Sequence, residues 1–125
     1  MNDLRSLIQG KLEEIQDIEV SAELPDDVIE EGKTYFSYHL RRNYGGSDTD
    51  ANFTYKVRLD GFIKRKTNLE ENTLKLLDEA QDKIEAKLKE INIKASFEDV
   101  SVLDNIKKIR VNGEAIYYEL NKGLL

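Results

Sequence analysis

Cysteine and tryptophan are missing from the 125-residue chain, and proline and histidine occur once each, as Pro25 and His39. Without cysteine, the chain can build neither a disulfide scaffold nor a thiolate metal site. Its single proline excludes a proline-rich linker, and no repeat or low-complexity stretch divides the sequence. We therefore expect a single domain over residues 1–125.

Long apolar runs are missing as well. None approaches the roughly 20 residues that a membrane-spanning helix needs. The first residues, MNDLRSLIQGKLEEI, are charged and lack the apolar stretch of a signal peptide. We therefore expect a cytoplasmic protein without a membrane partner.

Charge is abundant and mildly acidic, because 19 Lys and Arg stand against 25 Asp and Glu, for a net charge of -6. A dedicated nucleic-acid-binding protein usually carries a basic excess, so this balance argues against one. Hydrophobic residues make up 39% of the chain and charged residues 35%, which is typical of a folded core beneath a well-solvated surface.

Two segments have apolar residues at the three- and four-residue spacing of a helix. The first runs from Leu4 to Ile15, and the second runs from about Leu69 to Ile91. The apolar stripe predicted for the second helix consists of Leu74, Leu77, Gln81, Ile84, Leu88 and Ile91. Two capping boxes are available at its start, Thr67 with Glu70 and Asn68 with Glu71.

Alternation of apolar and polar residues predicts strands between these helices. A short strand begins at Ile18 and ends before Pro25, and two longer strands cover Thr34–Arg42 and Asn52–Lys64. The two longer strands are expected to pair as a hairpin across the glycine-bearing polar segment Asn43–Ala51. The apolar side of this hairpin consists of Phe36, Tyr38 and Leu40 in one strand and Phe53, Tyr55, Val57, Leu59 and Ile63 in the other.

The last third of the chain returns to strand patterns. Ile93, Ala95 and Phe97 alternate with polar residues and predict one strand. Two further β-forming runs, Ile106–Val111 and Glu114–Leu120, flank Asn112-Gly113, which is a strong signal for a two-residue hairpin turn. Such a turn would pair Ile109 with Ile116 on one face.

The predicted order is one helix, one strand, a hairpin, a second helix, one strand and a second hairpin. This order indicates an α+β fold, in which a mostly antiparallel sheet carries two helices packed on one face.

A search for chemistry predicts no catalytic, cofactor-binding or metal-binding residue, and no enzyme. His39 has no serine or cysteine partner suggested by the sequence, so a nucleophilic triad is not indicated. Asp48, Asp50 and Asn52 imitate the start of a calcium loop, but Phe53 replaces the required glycine and Leu59 the bidentate glutamate. Neither a dinucleotide-binding glycine motif nor a P-loop occurs.

Basic residues occur in three clusters: Arg41-Arg42, Lys64-Arg65-Lys66, and Lys107-Lys108 with Arg110. They could contact phosphates or acidic surfaces of a neighbouring subunit, or they could simply solubilise strand ends. Tyr44, Tyr117 and Tyr118 are candidates for interface anchors or for packing within the fold.

The order of the predicted elements, above all in the middle of the chain, resembles that of a known protein family. The residues that carry the resemblance are FTYKVRLDGFIK (Phe53–Lys64) and the following helix, NLEENTLKLLDEAQDKIEAKLKEI (Asn68–Ile91). With the amphipathic first helix and the closing strands, this order and size is similar to the tail terminator (tail completion) proteins of long-tailed bacteriophages. The similarity is one of element order over nearly the whole chain rather than of a signature motif.

The resemblance implies a structural role in the virion without catalysis or cofactors. Family members form a homo-oligomeric ring, commonly of six subunits, that caps the tail tube, stops its polymerisation and docks on the head-neck connector. DNA passes through the lumen of the ring during ejection. The chain would then be in the host cytoplasm during assembly and at the tail-neck junction afterwards. From its composition alone, we predict that the glycine-bearing segment Asn43–Ala51 contacts the tube or the neck.

Two other functions fit the same sequence. One is another phage head-closure or neck protein, which docks on the connector. The other is a small cytoplasmic binding or regulatory module, such as an inhibitor of a host protein.

Overall fold

Two helices and six strands make up the part of the chain that the computed structural model describes, which is residues 2–43, 54–66, 72–103, 105–118 and 123–124. In chain order the elements are α1 (Asn2–Leu12), β1 (Ile18–Ala22), a 3-10 turn (Asp26–Val28), β2 (Thr34–Asn43), β3 (Thr54–Lys66), α2 (Thr73–Glu90), β4 (Lys94–Leu103), β5 (Ile106–Tyr118) and β6 (Gly123–Leu124).

The strands form one sheet in the order β1-β2-β3-β5-β4, with β6 paired to the end of β5. Strand β1 is parallel to β2, and the other pairs are antiparallel. Strands β2 and β3 pair from Thr34 opposite Arg65 to Asn43 opposite Lys56, so the predicted first hairpin is confirmed. The predicted α+β class with a mostly antiparallel sheet is confirmed as well.

Both helices lie on one face of the sheet, because their apolar stripes and the apolar side of the strands share one core. The buried residues of α1 are Leu4, Ile8 and Leu12, and those of α2 include Leu77, Ala80, Ile84 and Leu88. Opposite them lie the apolar sheet residues, which are Phe36, Tyr38, Leu40, Val57, Leu59, Ile63, Ile109, Val111 and Tyr117. Among the described helices, none has the length and hydropathy that crossing a membrane requires.

The start of α2 differs from the prediction. The helix begins at Thr73, and the side chain of Asn72 caps it by accepting a hydrogen bond from the backbone N–H of Lys75 at 3.3 Å. Leu74 is 65% exposed rather than part of the inner stripe, since Thr73 occupies the buried position of that turn. The predicted capping boxes fall within residues 67–71, outside the described residues.

The predicted hairpin at Asn112-Gly113 is wrong, because β5 runs through both residues as one strand. Asn112 pairs with Asp60 of β3 on one side and with Ser96 of β4 on the other. Asn112 and Gly113 therefore lie between two neighbouring strands, and backbone hydrogen bonds to both strands keep them extended. Ile109 is buried and Ile116 is 44% exposed, so these two residues lie on opposite faces rather than forming the predicted pair.

The actual reversal between β4 and β5 lies between Leu103 and Ile106, which are opposite each other. Asn105 in this reversal has a positive φ of 62°, a conformation that asparagine tolerates better than most residues. Gly113 has a packing role instead, because a Cβ there would lie 2.9 Å from Cγ2 of Ile93. The Asn-Gly pair therefore reflects close packing within a strand.

Candidate functional site

The second face of the sheet, opposite the helices, carries polar and charged side chains, and we call it the open face. Strand alternation places every second residue of β2, β3, β5 and β4 there. Two rows of this face follow from the strand register: His39, Asp60, Asn112 and Ser96 in one, and Arg41, Arg58, Glu114 and Lys94 in the next.

Residues 23–33, which we call the crossover segment, lie over one end of the open face. They connect β1 to β2, and two parallel neighbouring strands require such a crossover. Ile29 of this segment packs with Tyr35 and Ile106 of the sheet in a small second core, with Leu24 beside it. Between the crossover segment and the strands remains a groove of about 600 Å³ that is open to solvent.

Asp26 joins the crossover segment to the sheet. One carboxylate oxygen lies 2.6 Å from Nζ of Lys108, and the other lies 3.0 Å from Nζ of Lys64. Lys64 also donates a hydrogen bond of 2.6 Å to the carbonyl oxygen of Leu24, which accounts for a lysine that is only 6% exposed. The hydrogen bond from Lys108 is the main reason that the pKa of Asp26 lies below its usual value of 3.8, and Lys64 lowers it further.

Phe62 lines the groove, and three cations lie close to its ring. Nζ of Lys64 is 6.0 Å from the ring centroid, Nζ of Lys108 is 5.7 Å away, and the Arg110 guanidinium carbon is 5.5 Å away. Attraction between a cation and the negative face of an aromatic ring operates at these distances. Phe62 therefore helps to hold three positive side chains in a small area.

Asp60 holds a second group of cations at the other end of the groove. Its carboxylate lies 2.7 Å from the Arg41 guanidinium and 3.2 Å from Nε of Arg58. Nε2 of His39 is 3.8 Å from the same carboxylate. The Asp60 side chain is 19% exposed, whereas both arginines are about half exposed, so the arginines still present positive charge to solvent.

Together these side chains form a surface that we call the basic face. Its cations are Arg41, Arg58, Lys64, Lys108 and Arg110, and its carboxylates are Asp26, Asp60 and Glu23, which also lines the groove. The excess of cations stands out in a chain whose net charge is -6. A shallow, charged and partly aromatic surface of this kind is suited to binding another charged surface.

The basic clusters of the sequence are divided between the two faces. Arg41 and Lys64 belong to the basic face, whereas Arg65 is buried on the other side and donates a 2.8 Å hydrogen bond to the hydroxyl of Thr34. Lys108 and Arg110 join the basic face because β5 lies beside β3. The sequence analysis did not identify Asp26, Asp60 or Phe62 as members of a site.

The remaining sequence candidates have different outcomes. Tyr117 is 3% exposed and packs in the core. Of its two predicted roles, packing within the fold is therefore supported and an interface anchor is not. The predicted contact segment Asn43–Ala51, with Tyr44 and the calcium-like aspartates, falls within residues 44–53 apart from Asn43 and lies outside the described residues, as does the side chain of Tyr118. In the described ranges, no three His, Asp or Glu side chains gather closely enough to hold a metal ion.

No protein-family model matches the sequence, and no curated protein matches it.

Proposed function

We propose that the chain is a structural virion protein that acts as a phage tail terminator. It forms a homo-oligomeric ring, of six copies, that caps the tail tube, stops the addition of tube subunits and docks on the head-neck connector. It works at the tail-neck junction of the virion, after assembly in the host cytoplasm, by binding alone. DNA is in contact with the ring only during its passage through the lumen.

The basic face carries this proposal. A ring subunit must contact two neighbours and two larger partners, so it needs wide, shallow surfaces rather than a deep pocket. The groove beside Phe62 is open to solvent, and its charged groups are held in place by Asp26 and Asp60. Fixed charges on a rigid sheet give specificity towards a partner of complementary charge.

The distribution of charge also supports a ring around DNA. Because the basic face concentrates positive charge, the rest of the chain is more acidic than the net charge of -6 indicates. An acidic lumen would repel the phosphate backbone and let DNA pass without being trapped. The basic face would then point away from the lumen, towards a protein partner.

The element order up to α2 supports the proposal, whereas the second hairpin predicted at Asn112-Gly113 is wrong. Helix α1, the β2–β3 hairpin and α2 follow one another along the chain as the family resemblance implies. The closing strands add to the same sheet.

Electron microscopy of particles made by a phage that lacks this gene tests the proposal. A terminator's loss should produce overlong tails that are not attached to heads, and supplying the gene from a plasmid should restore normal particles. Virions of ordinary shape made without the protein would contradict the proposal.

Two observations on purified particles separate the alternatives. A terminator should be present in purified headless tails, whereas a head-closure or connector-docking protein should be present on tailless heads. A regulatory module of the host cytoplasm should be missing from both.

A further inference from the structure

Strand β2 has a half-covered edge. Strand β1 pairs with it only from Thr34 to Tyr38, and the chain then turns away at Glu23, which has a positive φ of 42°. The remaining part of β2, His39–Asn43, has β3 on one side and no strand on the other among the described residues. Its outward backbone N–H and C=O groups form an edge on which another strand could pair, and we call His39–Asn43 the β2 edge.

There is room for a strand beside the β2 edge. A cavity of about 900 Å³ lies between this edge and α1. From the β2 edge, His39 and Leu40 line it, and its charged lining residues are Arg5, Glu13 and Glu23. One wall is fixed by a 2.6 Å hydrogen bond from the hydroxyl of Tyr38 to Oε1 of Gln9. An added strand would thus contact α1 as well as β2.

The opposite end of the sheet has a second edge. Strand β4 has ten residues, and in the described part of the chain only β5 pairs with it. Glu98 and Asp99 lie at its middle, and both are exposed. Neither forms an ion pair with another described residue, and we call this strand the β4 edge.

The charges of the two edges favour one mode of contact between copies. The β2 edge carries Arg41, which also pairs with Asp60, and Arg42, whereas the β4 edge carries Lys94 at its start and Glu98 and Asp99 at its middle. Two β2 edges, or two β4 edges, would bring like charges together, which disfavours a symmetric contact. A β2 edge and a β4 edge attract each other, and such a head-to-tail contact repeats from copy to copy until it closes into a ring or extends as a filament.

We propose that the β4 edge of one copy pairs with the β2 edge of the next, so that the sheet continues from subunit to subunit. This inference rests on the proposed function, because it identifies the contact that builds the ring. The occupant of the cavity beside α1 is then β4 of a second copy, with Glu98 and Asp99 near Arg41 and Arg42.

Two charge-reversed variants test the contact. Arg41→Glu with Arg42→Glu makes both edges acidic, and Glu98→Lys with Asp99→Lys makes both edges basic. Sedimentation velocity over concentrations up to the millimolar range should show association of the unmodified chain and about a tenfold or greater weakening in each variant alone. An equimolar mixture of the two variants should associate again, because each junction then joins opposite charges.

Matched reversals on the exposed surface of α2, Lys75→Glu with Lys89→Glu and Asp78→Lys with Glu85→Lys, should leave the association unchanged. Circular dichroism melts show whether each variant is folded. Mixing can restore association only if both variants are folded. The inference is overturned if the unmodified chain stays monomeric throughout the range, if the edge variants associate as it does, or if their mixture remains monomeric. The proposed function is tested separately by the gene-deletion particles. If those particles have overlong tails, the proposed function is supported even when the contact between edges is overturned.

Discussion

At the scale of single residues, Asp26 connects the crossover segment to the sheet through two lysines, and its contribution should depend on pH. Asp26→Asn should lower the free energy of unfolding at neutral pH by about 1 kcal/mol, because the side chain is 41% exposed and solvent weakens its ion pairs. The pKa of Asp26 is lowered in the folded state, so its stabilisation is present above the usual value of 3.8 and is lost as the pH falls through the lower, folded-state pKa.

Urea denaturation at neutral pH and well below pH 3.8 measures this effect. The difference between the unmodified chain and Asp26→Asn should narrow in acid. Asp27→Asn, at an exposed neighbouring position, is the matched control and should change stability little at either pH. A difference of equal size at both pH values would mean that the charge of Asp26 is not what holds the crossover segment.

Gly61 lies where β2 and β3 approach closely and is the most restricted glycine described. A Cβ there would collide with the backbone oxygen of Ser37 and would lie 2.9 Å from Cβ of Tyr38. Neither atom belongs to the end of a flexible side chain, so Gly61→Ala should destabilise the fold by about 2 kcal/mol or more. Thermal or urea unfolding measures the loss.

Gly10 provides the contrast. It lies inside α1, and a Cβ added there would meet no described atom within 4 Å outside the backbone of its own helix. Gly10→Ala should therefore stabilise the chain by about 0.5 to 1 kcal/mol, through the better helix propensity of alanine. Equal effects of the two substitutions would contradict the packing described around Gly61.

At the scale of elements, burial made much of the fold predictable. One face of β2 and one of β3 are covered by helices, so Phe36, Leu40 and Leu59 had to alternate with polar residues, and both strands could be predicted. Asn112-Gly113 could not be interpreted correctly, because its local preference for a turn is overridden by pairing with strands on both sides. The sequence alone does not specify those neighbours.

The same substitution at two asparagines tests the position of the reversal. Asn112→Thr should leave stability unchanged within about 0.5 kcal/mol, since threonine suits the interior of a strand. Asn105→Thr should cost about 1 kcal/mol or more, because a β-branched residue is strained at the positive φ of 62° found there. Chemical denaturation of both variants measures the two effects, and the opposite order would place the turn at Asn112-Gly113 after all.

At the scale of the whole molecule, the basic face depends on strand order and could not be predicted as a unit. Lys64 and Lys108 are far apart in the sequence and become neighbours only because β5 pairs with β3 in a register that places them opposite each other. Each cluster alone resembled the solubilising charge common on strand ends. Lys64 and Arg65 are adjacent in the sequence, but strand alternation places them on opposite faces of the sheet. A cluster of basic residues in the sequence does not show this division.

Neutralising the basic face should impair the proposed assembly without unfolding the chain. Arg58→Gln with Arg110→Gln removes two exposed charges, and head-tail joining should fall by about tenfold if these charges orient a partner. Particle counts by electron microscopy and infectious titre measure the loss. Lys75→Gln with Lys89→Gln on α2 is the matched control, and an equal titre for all variants would show that the basic face has no part in joining.

The most direct measurement of the central claim is electron microscopy of growing tail tubes incubated with this protein and with tube subunits of the same phage. A terminator should appear as a ring at one end of each tube, and those tubes should stop growing while tubes without the protein continue to lengthen. Bare tube ends and continued growth at saturating protein would contradict a function in tail termination.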